Sequence, residues 1–147
     1  MRMKRAGRVN ILTVAVLACV VVIFSMFFIG RENIGSVGAK FMSALAKDDV
    51  DTLTDLSYLG NKDKEDMKKQ WEFAAKDVSK QYAFEWRVTG ARELSDKAGS
   101  VSLMVSRNLF SGSTYEEKFE LPMIRVNGRW MVNVSGISRD MYPALPR

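Results

Sequence analysis

Hydrophobic and polar positions divide this chain into one unbroken apolar run followed by two periodic regions. From Val9 to Ile29 (VNILTVAVLACVVVIFSMFFI) there is no charge and no proline. A helix rising about 1.5 Å per residue would carry this run across about 30 Å, the thickness of a bilayer's hydrocarbon core. A transmembrane helix bounded by Val9 and Ile29 is therefore expected, followed by a glycine-bearing linker over residues 30–35. Beyond it the period is helical. Ser36 is placed to cap a helix whose Val37, Phe41, Met42 and Leu45 fall on one side. Asp48 or Asp49 opens a short second helix with Val50, Leu53 and Leu56 inward, closing at Gly60. A third starts at Asn61 or Asp63, with Glu65 and Asp66 in its first turn and Met67, Trp71, Ala74, Ala75 and Val78 as its apolar face.

After Lys80 the period falls to two. Tyr82, Phe84, Trp86 and Val88 alternate with Ala83, Glu85, Arg87 and Thr89, as in a half-buried strand. The turn Ser95–Gly99 leads to Val101, Leu103 and Val105, and Ser111-Gly112-Ser113 marks the next turn. Tyr115, Glu117, Phe119, Leu121 and Met123 share one face of a long strand. Pro122 cannot donate to a ladder, so an edge or a bulge is expected there, with the apolar set shifting to Ile124 and Val126. Asn127-Gly128 predicts a hairpin returning through Trp130, Val132 and Val134, with Met131 and Ile137 facing the other way. Helices followed by four consecutive antiparallel strands describe an α+β domain over residues 36–138, three helices lying on one face of a curved sheet. Residues 139–147 are expected to be an irregular tail.

Charge sets the expected topology. The leader of residues 1–8 carries Arg2, Lys4, Arg5 and Arg8, whereas Arg31 and Glu32 cancel at the far end, so the leader is expected inside and the C-terminal domain outside. Of the 22 Lys and Arg, four sit in that leader; the remaining 18 face 17 Asp and Glu, a net of +1. No basic patch stands out, which argues against nucleic acid as a partner. The single cysteine, Cys19, lies inside the apolar run, so the outer domain holds no disulfide. Val16-Leu17-Ala18-Cys19 loosely matches a lipobox, but the bulky Leu17 and the apolar Val20–Ile29 count against lipidation at Cys19. A cleavable signal peptide would need a site such as Val37-Gly38-Ala39, too far beyond the run. Ala15, Ala18 and Cys19 give one side of the span a small surface, compatible with a homodimer.

Two segments carry a family resemblance. Lys40-Phe41-Met42-Ser43-Ala44-Leu45-Ala46-Lys47-Asp48-Asp49 resembles the first helix and turn of the cystatin-like, nuclear-transport-factor-2-like superfamily. Val126-Asn127-Gly128-Arg129-Trp130-Met131-Val132 is similar to its closing hairpin. The resemblance spans about residues 36–137 and is nearest to the short membrane-anchored bacterial branch of uncharacterised function. It implies a cone-shaped domain whose sheet wraps a helix around a pocket, and a place in the bacterial inner membrane. Members differ in whether that pocket is catalytic, so the resemblance does not fix an activity.

Chemistry narrows the choice. With no histidine, Ser-His-Asp and Cys-His machinery and His-containing zinc sites are excluded, and with one cysteine so is a Cys-based metal site. No metal and no cofactor is called for. A pocket, if formed, would be lined by Trp71, Phe84, Trp86, Phe119 and Trp130. Glu117, on the face of Tyr115 and Phe119, is the carboxylate best placed for acid/base work if apolar walls enclose it; beside Arg107 it would be an ordinary surface charge. The leading expectation is an interaction module, not an enzyme. It would be anchored in the bilayer and dock on another envelope protein as an accessory subunit or adaptor. Binding of a small apolar or lipid-like ligand is the alternative, and a carboxylate-based, non-hydrolytic enzyme the second alternative.

Overall fold

The helix ends follow their capping chemistry. In the computed structural model, which describes residues 32–78, 84–107 and 114–147, helix α1 spans Ile34–Lys47 and is capped by Asn33, whose Oδ1 accepts from Gly35 N at 3.0 Å. Ser36, the expected cap, sits one turn in and donates its hydroxyl to Asn33 O at 2.7 Å. Asp48 ends α1 in the left-handed region at φ 57, one of the few non-glycine residues that tolerate it. Asp49 then caps α2, Val50–Leu56, accepting from Thr52 N at 3.1 Å and Thr52 Oγ1 at 2.7 Å. These two bonds hold its carboxyl below the usual range. Helix α3, Lys64–Val78, carries Glu65 and Asp66 in its first turn, where the helix dipole favours acids.

The predicted span Val9–Ile29, Cys19, Tyr82 and the turn Ser111–Ser113 lie outside the described residues. Among the described residues, no helix is long and apolar enough to cross a membrane.

The sheet is five-stranded and mixed among the described residues, not four-stranded and antiparallel. Its strands are β1 (Ser57–Tyr58), β2 (Glu85–Glu93), β3 (Ala98–Arg107), β4 (Tyr115–Val126) and β5 (Arg129–Asn133), in the order β1-β5-β4-β3-β2. The unforeseen β1 runs parallel to β5, pairing Ser57 with Val132 and Tyr58 with Asn133. Two residues cannot display a period, so no pattern announces such a strand.

Register fixes the two faces. Val101, Leu103 and Val105 lie opposite Leu121, Phe119 and Glu117 on the helix-facing side. The outer side is polar and internally bonded: Arg87 donates to Glu116 through Nη1 and Nη2 at 2.9 and 3.2 Å, and Glu120 accepts from Ser100 and Ser102. Of the two expectations at Pro122 the bulge is absent, since β3–β4 pairing runs unbroken from Ala98↔Ile124 to Arg107↔Tyr115. Met123 stays in the core and Ile124 and Val126 are half-buried, so the apolar set does not shift. Pro122 lies just before the first β5 partner, Met123↔Val132, where a missing donor leaves the β4–β5 ladder whole. The register shift falls instead in β2, between Val88 and Gly90, leaving Thr89 as the extra residue with its hydroxyl on Ser102 O.

Asn127 (φ 49) and Gly128 (φ 79) form the expected hairpin turn. Trp130, Val132 and Val134 are buried as expected, but Ile137 is buried with them rather than facing away. The chain leaves β5 at Asn133 into a 3-10 turn, Val134–Gly136, which ends strand alternation and swings Ile137 inward. The tail is irregular, yet Met141 and Tyr142 are core residues.

The core lies between the helices and the sheet, with Phe41 and Trp71 edge-to-face at 5.9 Å. Gly38 lets α1 settle on the sheet, because a Cβ there would stand 2.9 Å from both methyls of Val101.

Candidate functional site

The six pocket candidates separate into three places. Trp71 is wholly buried in the core, and its indole N–H donates to Ser57 Oγ at 3.0 Å. That bond ties α3 to β1. Trp130, 2% exposed, lies at one end of the helix-facing side. There the Arg125 guanidinium stands 4.3 Å above its ring, and Glu93 pairs with Arg125 at 3.6 Å. The buried Nε1 of Trp130 and Nε of Arg125 have no hydrogen-bond partner among the described residues.

Phe84, Trp86, Glu117 and Phe119 gather at the opposite end, around Arg107. The register sets Trp86, Val105 and Glu117 in one row, Val88, Leu103 and Phe119 in the next, and Arg107 opposite Tyr115. With strands about 4.8 Å apart, Trp86 and Glu117 stand about 10 Å apart across Val105. Phe84, Trp86 and Phe119 are half-buried, while Tyr115 is 45% exposed. Alternation puts Glu117 on the helix-facing side as expected, but it is exposed, although its cross-strand neighbour Val105 is fully buried. Glu117 makes no ion pair among the described residues.

Arg107 turns instead to the tail. Its guanidinium lies 5.4 Å from the Phe119 ring centre. Its Nη2 donates to Asp140 O and, at 2.8 Å, to Met141 O. Nη1 and Nε make no hydrogen bond among the described residues. Next to this pin Tyr142 packs edge-on to Phe84 at 6.4 Å. Burial, assisted by the negative charge of Asp48, pushes the Tyr142 phenol up to about 12.

A groove of about 610 Å³, unforeseen in the sequence, runs between α3 and the tail, lined by Lys62, Lys69, Gln70 and Phe73 and by residues 143–147. Arg147 N donates to Gln70 Oε1 at 2.8 Å across it. A smaller hollow of about 290 Å³ touches the same tail beside Val134 and Ile137. Phe73 is 67% exposed. The signal lay in its position, two residues from Trp71 and so on the far side of α3.

Among the described residues there is no group of three or more metal-ligating side chains. Among the other carboxylates, Asp55 bridges elements: burial raises its pKa, but hydrogen bonds from Arg129 and Lys64, both at 3.3 Å, outweigh that and hold it low.

No family model and no curated protein matches the chain. Several solved structures are similar to it. One is a SEC-C motif-containing protein from Rhodopseudomonas palustris, 18% identical, covering 67% of this chain and 73% of that one at a TM-score of 0.46. Another is an NTF-2-like protein of unknown function from Shewanella oneidensis, 13% identical, covering 66% and 88% at 0.47. A third is a protein of unknown function from Mycobacterium tuberculosis, 9% identical, covering 76% and 70% at 0.47. Similarity at this level assigns no function.

Proposed function

We propose that this chain is a membrane-anchored interaction module. It is held in a bacterial inner membrane by Val9–Ile29 with its C-terminal domain outside, and serves as an accessory subunit or adaptor of an envelope assembly. The nuclear-transport-factor-2-like, cystatin-like resemblance belongs to the same proposal, on the two segments that carry it. One observation supports docking above the alternatives. At the Arg107 end, aromatic rings left partly uncovered surround an arginine that, among the described residues, hydrogen-bonds through a single nitrogen. Tyr, Trp, Phe and Arg are the residue types enriched where partners bind, and Nη1 and Nε, which make no hydrogen bond among the described residues, are suited to a partner's carboxylate or carbonyl.

The dispersal of Trp71 and Trp130 into the core weighs against an aromatic ligand cage built from all six candidates. The exposure of Glu117 weighs against an acid/base enzyme, which needs that carboxylate enclosed. The test is crosslinking in native membranes followed by purification through a C-terminal tag. Tyr115→Asp and Glu117→Lys, both at exposed positions, are expected to lose a stoichiometric envelope partner while folding normally. Retention of every partner by both variants overturns the reading.

A further inference from the structure

The turn between β2 and β3 lies at the same end of the sheet as the start of α1. Leu94 N and Ser95 N both donate to Ala98 O, at 2.9 and 3.0 Å, and Ser95 Oγ accepts from Ala98 N at 3.1 Å. Arg125 N on β4 donates to Lys97 O at 2.9 Å, which ties the turn to the sheet. Glu93 pairs with Gly99, where a Cβ would clash with Ile34 Cδ1; a Cβ on Gly35 would stand 3.2 Å from Ala91 Cβ. The first two residues of α1 thus rest on the two strands that the turn joins. From this closed turn Leu94 is 63% exposed. Its charged neighbours offset one another, Arg92 and Lys97 against Glu93 and Asp96, all four exposed.

We propose that this turn lies in the headgroup layer of the bilayer, with the Leu94 side chain inserted into the interface. The proposal rests on the membrane-anchored reading, and it points the Arg107 end away from the lipid. A lone exposed leucine is ordinary on a protein surface, so it is the place of this one that decides. Only Gly30–Asn33 separate the apolar run from Ile34, a reach of about 14 Å when fully extended. Ile34 therefore stays within about that distance of the hydrocarbon edge, of which the interfacial layer takes up roughly 5–8 Å. Tyr115, another exposed apolar residue, stands opposite Arg107, nine residues along β3 from Ala98 and so about 30 Å away. Tethering makes the contact intramolecular, so one apolar side chain meets lipid at high effective concentration. With the nearby charges offset, the contact is apolar and does not depend on anionic lipid. A protein could cover Leu94 as well, but the short tether favours the bilayer.

The experiment uses the full chain in phosphatidylcholine nanodiscs, with Cys19→Ser removing the native thiol. Asp96→Cys carries an environment-sensitive fluorophore beside an intact Leu94, and Tyr115→Cys, labelled alike, is the distant reference. Lipid bearing a doxyl group high on its chain is expected to quench the Asp96→Cys label several-fold more than the Tyr115→Cys label, and aqueous iodide to do the reverse. Leu94→Ser should abolish most of that lipid quenching, and since Leu94 is exposed its loss does not threaten the fold. High salt and added phosphatidylglycerol should leave the quenching unchanged. Equal access of iodide to both labels, with the chain retained after alkaline washing, overturns the contact and leaves the anchor standing. Equal lipid quenching of both labels overturns the contact as well, because the domain then lies along the bilayer. Loss of the chain from the discs overturns the anchor and the contact together. Quenching that requires phosphatidylglycerol and survives Leu94→Ser replaces insertion with charge attraction and overturns the proposal. Shielding from iodide without lipid quenching gives the turn to a protein and overturns it too.

Discussion

The two ends of the helix-facing side are each capped by an arginine lying over an aromatic ring, and they differ in what covers them. At one end Arg125 stands on Trp130, Glu93 answers the charge, and α1 closes over the ring. Gly99 makes that closure possible: a Cβ there would clash with Ile34 Cδ1 and stand 2.9 Å from the Arg92 carbonyl. At the other end Arg107 stands on Phe119, no carboxylate answers it among the described residues, and the cover is an irregular tail. The same stacking motif therefore serves a finished core in one place and an incompletely covered surface in the other. Coverage, rather than residue type, decides which aromatics are structural and which are available to a partner.

Truncating the rings breaks the comparison most directly. Trp130→Ala empties a fully buried site and is expected to cost about 3–5 kcal/mol in urea unfolding. Phe119→Ala, at a half-buried position, should cost less than half as much. Equal losses would mean that the Arg107 end is as well packed as the other. Gly99→Ala comes next. The new methyl must displace Ile34 or the strand carbonyl, and overpacking of this kind costs about 1–3 kcal/mol. Unchanged stability would show that Ile34 of α1 is not seated closely against Gly99.

These contrasts also explain what the sequence could and could not reveal. The three helices were legible because Met67, Trp71 and Ala74, like Phe41 and Leu45, repeat at helical spacing, and the hairpin because Asn127-Gly128 suits positive φ. Strand faces were legible too: Glu117 does share a side with Phe119. Burial along that face was not, because alternation reports a direction and not where the covering layer stops. The tail gave no signal at all. Met141 and Tyr142 reach the core through an irregular path pinned by Arg107, a contact between residues 34 positions apart. Pro122 left an edge and a bulge both open for a similar reason, since the choice between them depends on where β5 begins to pair.

A smaller effect sharpens the role of that pin. Arg107→Gln removes the charge-assisted donation to Asp140 O and Met141 O while keeping an amide in place. Bonds to a charged donor contribute about 1.5–3 kcal/mol each. The loss here should sit at or below the lower end, because the tail carbonyls can turn to water. The clearer readout is local. Trypsin cleavage after the exposed Arg139 is expected to speed several-fold in Arg107→Gln, with cleavage after Arg92 unaffected. If both sites accelerate together, Arg107 supports the whole sheet and not the tail alone.

The last contrast is one of pH. The Tyr142 phenol is held up at about 12 by burial and by Asp48, above its ordinary value near 10. A raised folded-state value means the native state favours the protonated phenol. Its contribution to stability is therefore complete below about pH 10, declines as pH rises through the interval, and is exhausted above about 12. Tyr142→Phe cannot ionise, so the variant should lose less stability than the parent between those limits, whatever its stability at neutral pH. The Arg125 end offers a control: no tyrosine lies in its stack of Arg125, Trp130 and Glu93, so Trp130→Phe should leave the alkaline slope as it is. Parallel alkaline slopes for Tyr142→Phe and the parent would mean that the phenol is solvated in the native state. The tail would then be a looser cover than the buried ring of Tyr142 implies. A shallower slope in the variant would make the tyrosine a reporter of tail closure, usable to ask whether a docked partner leaves the tail in place.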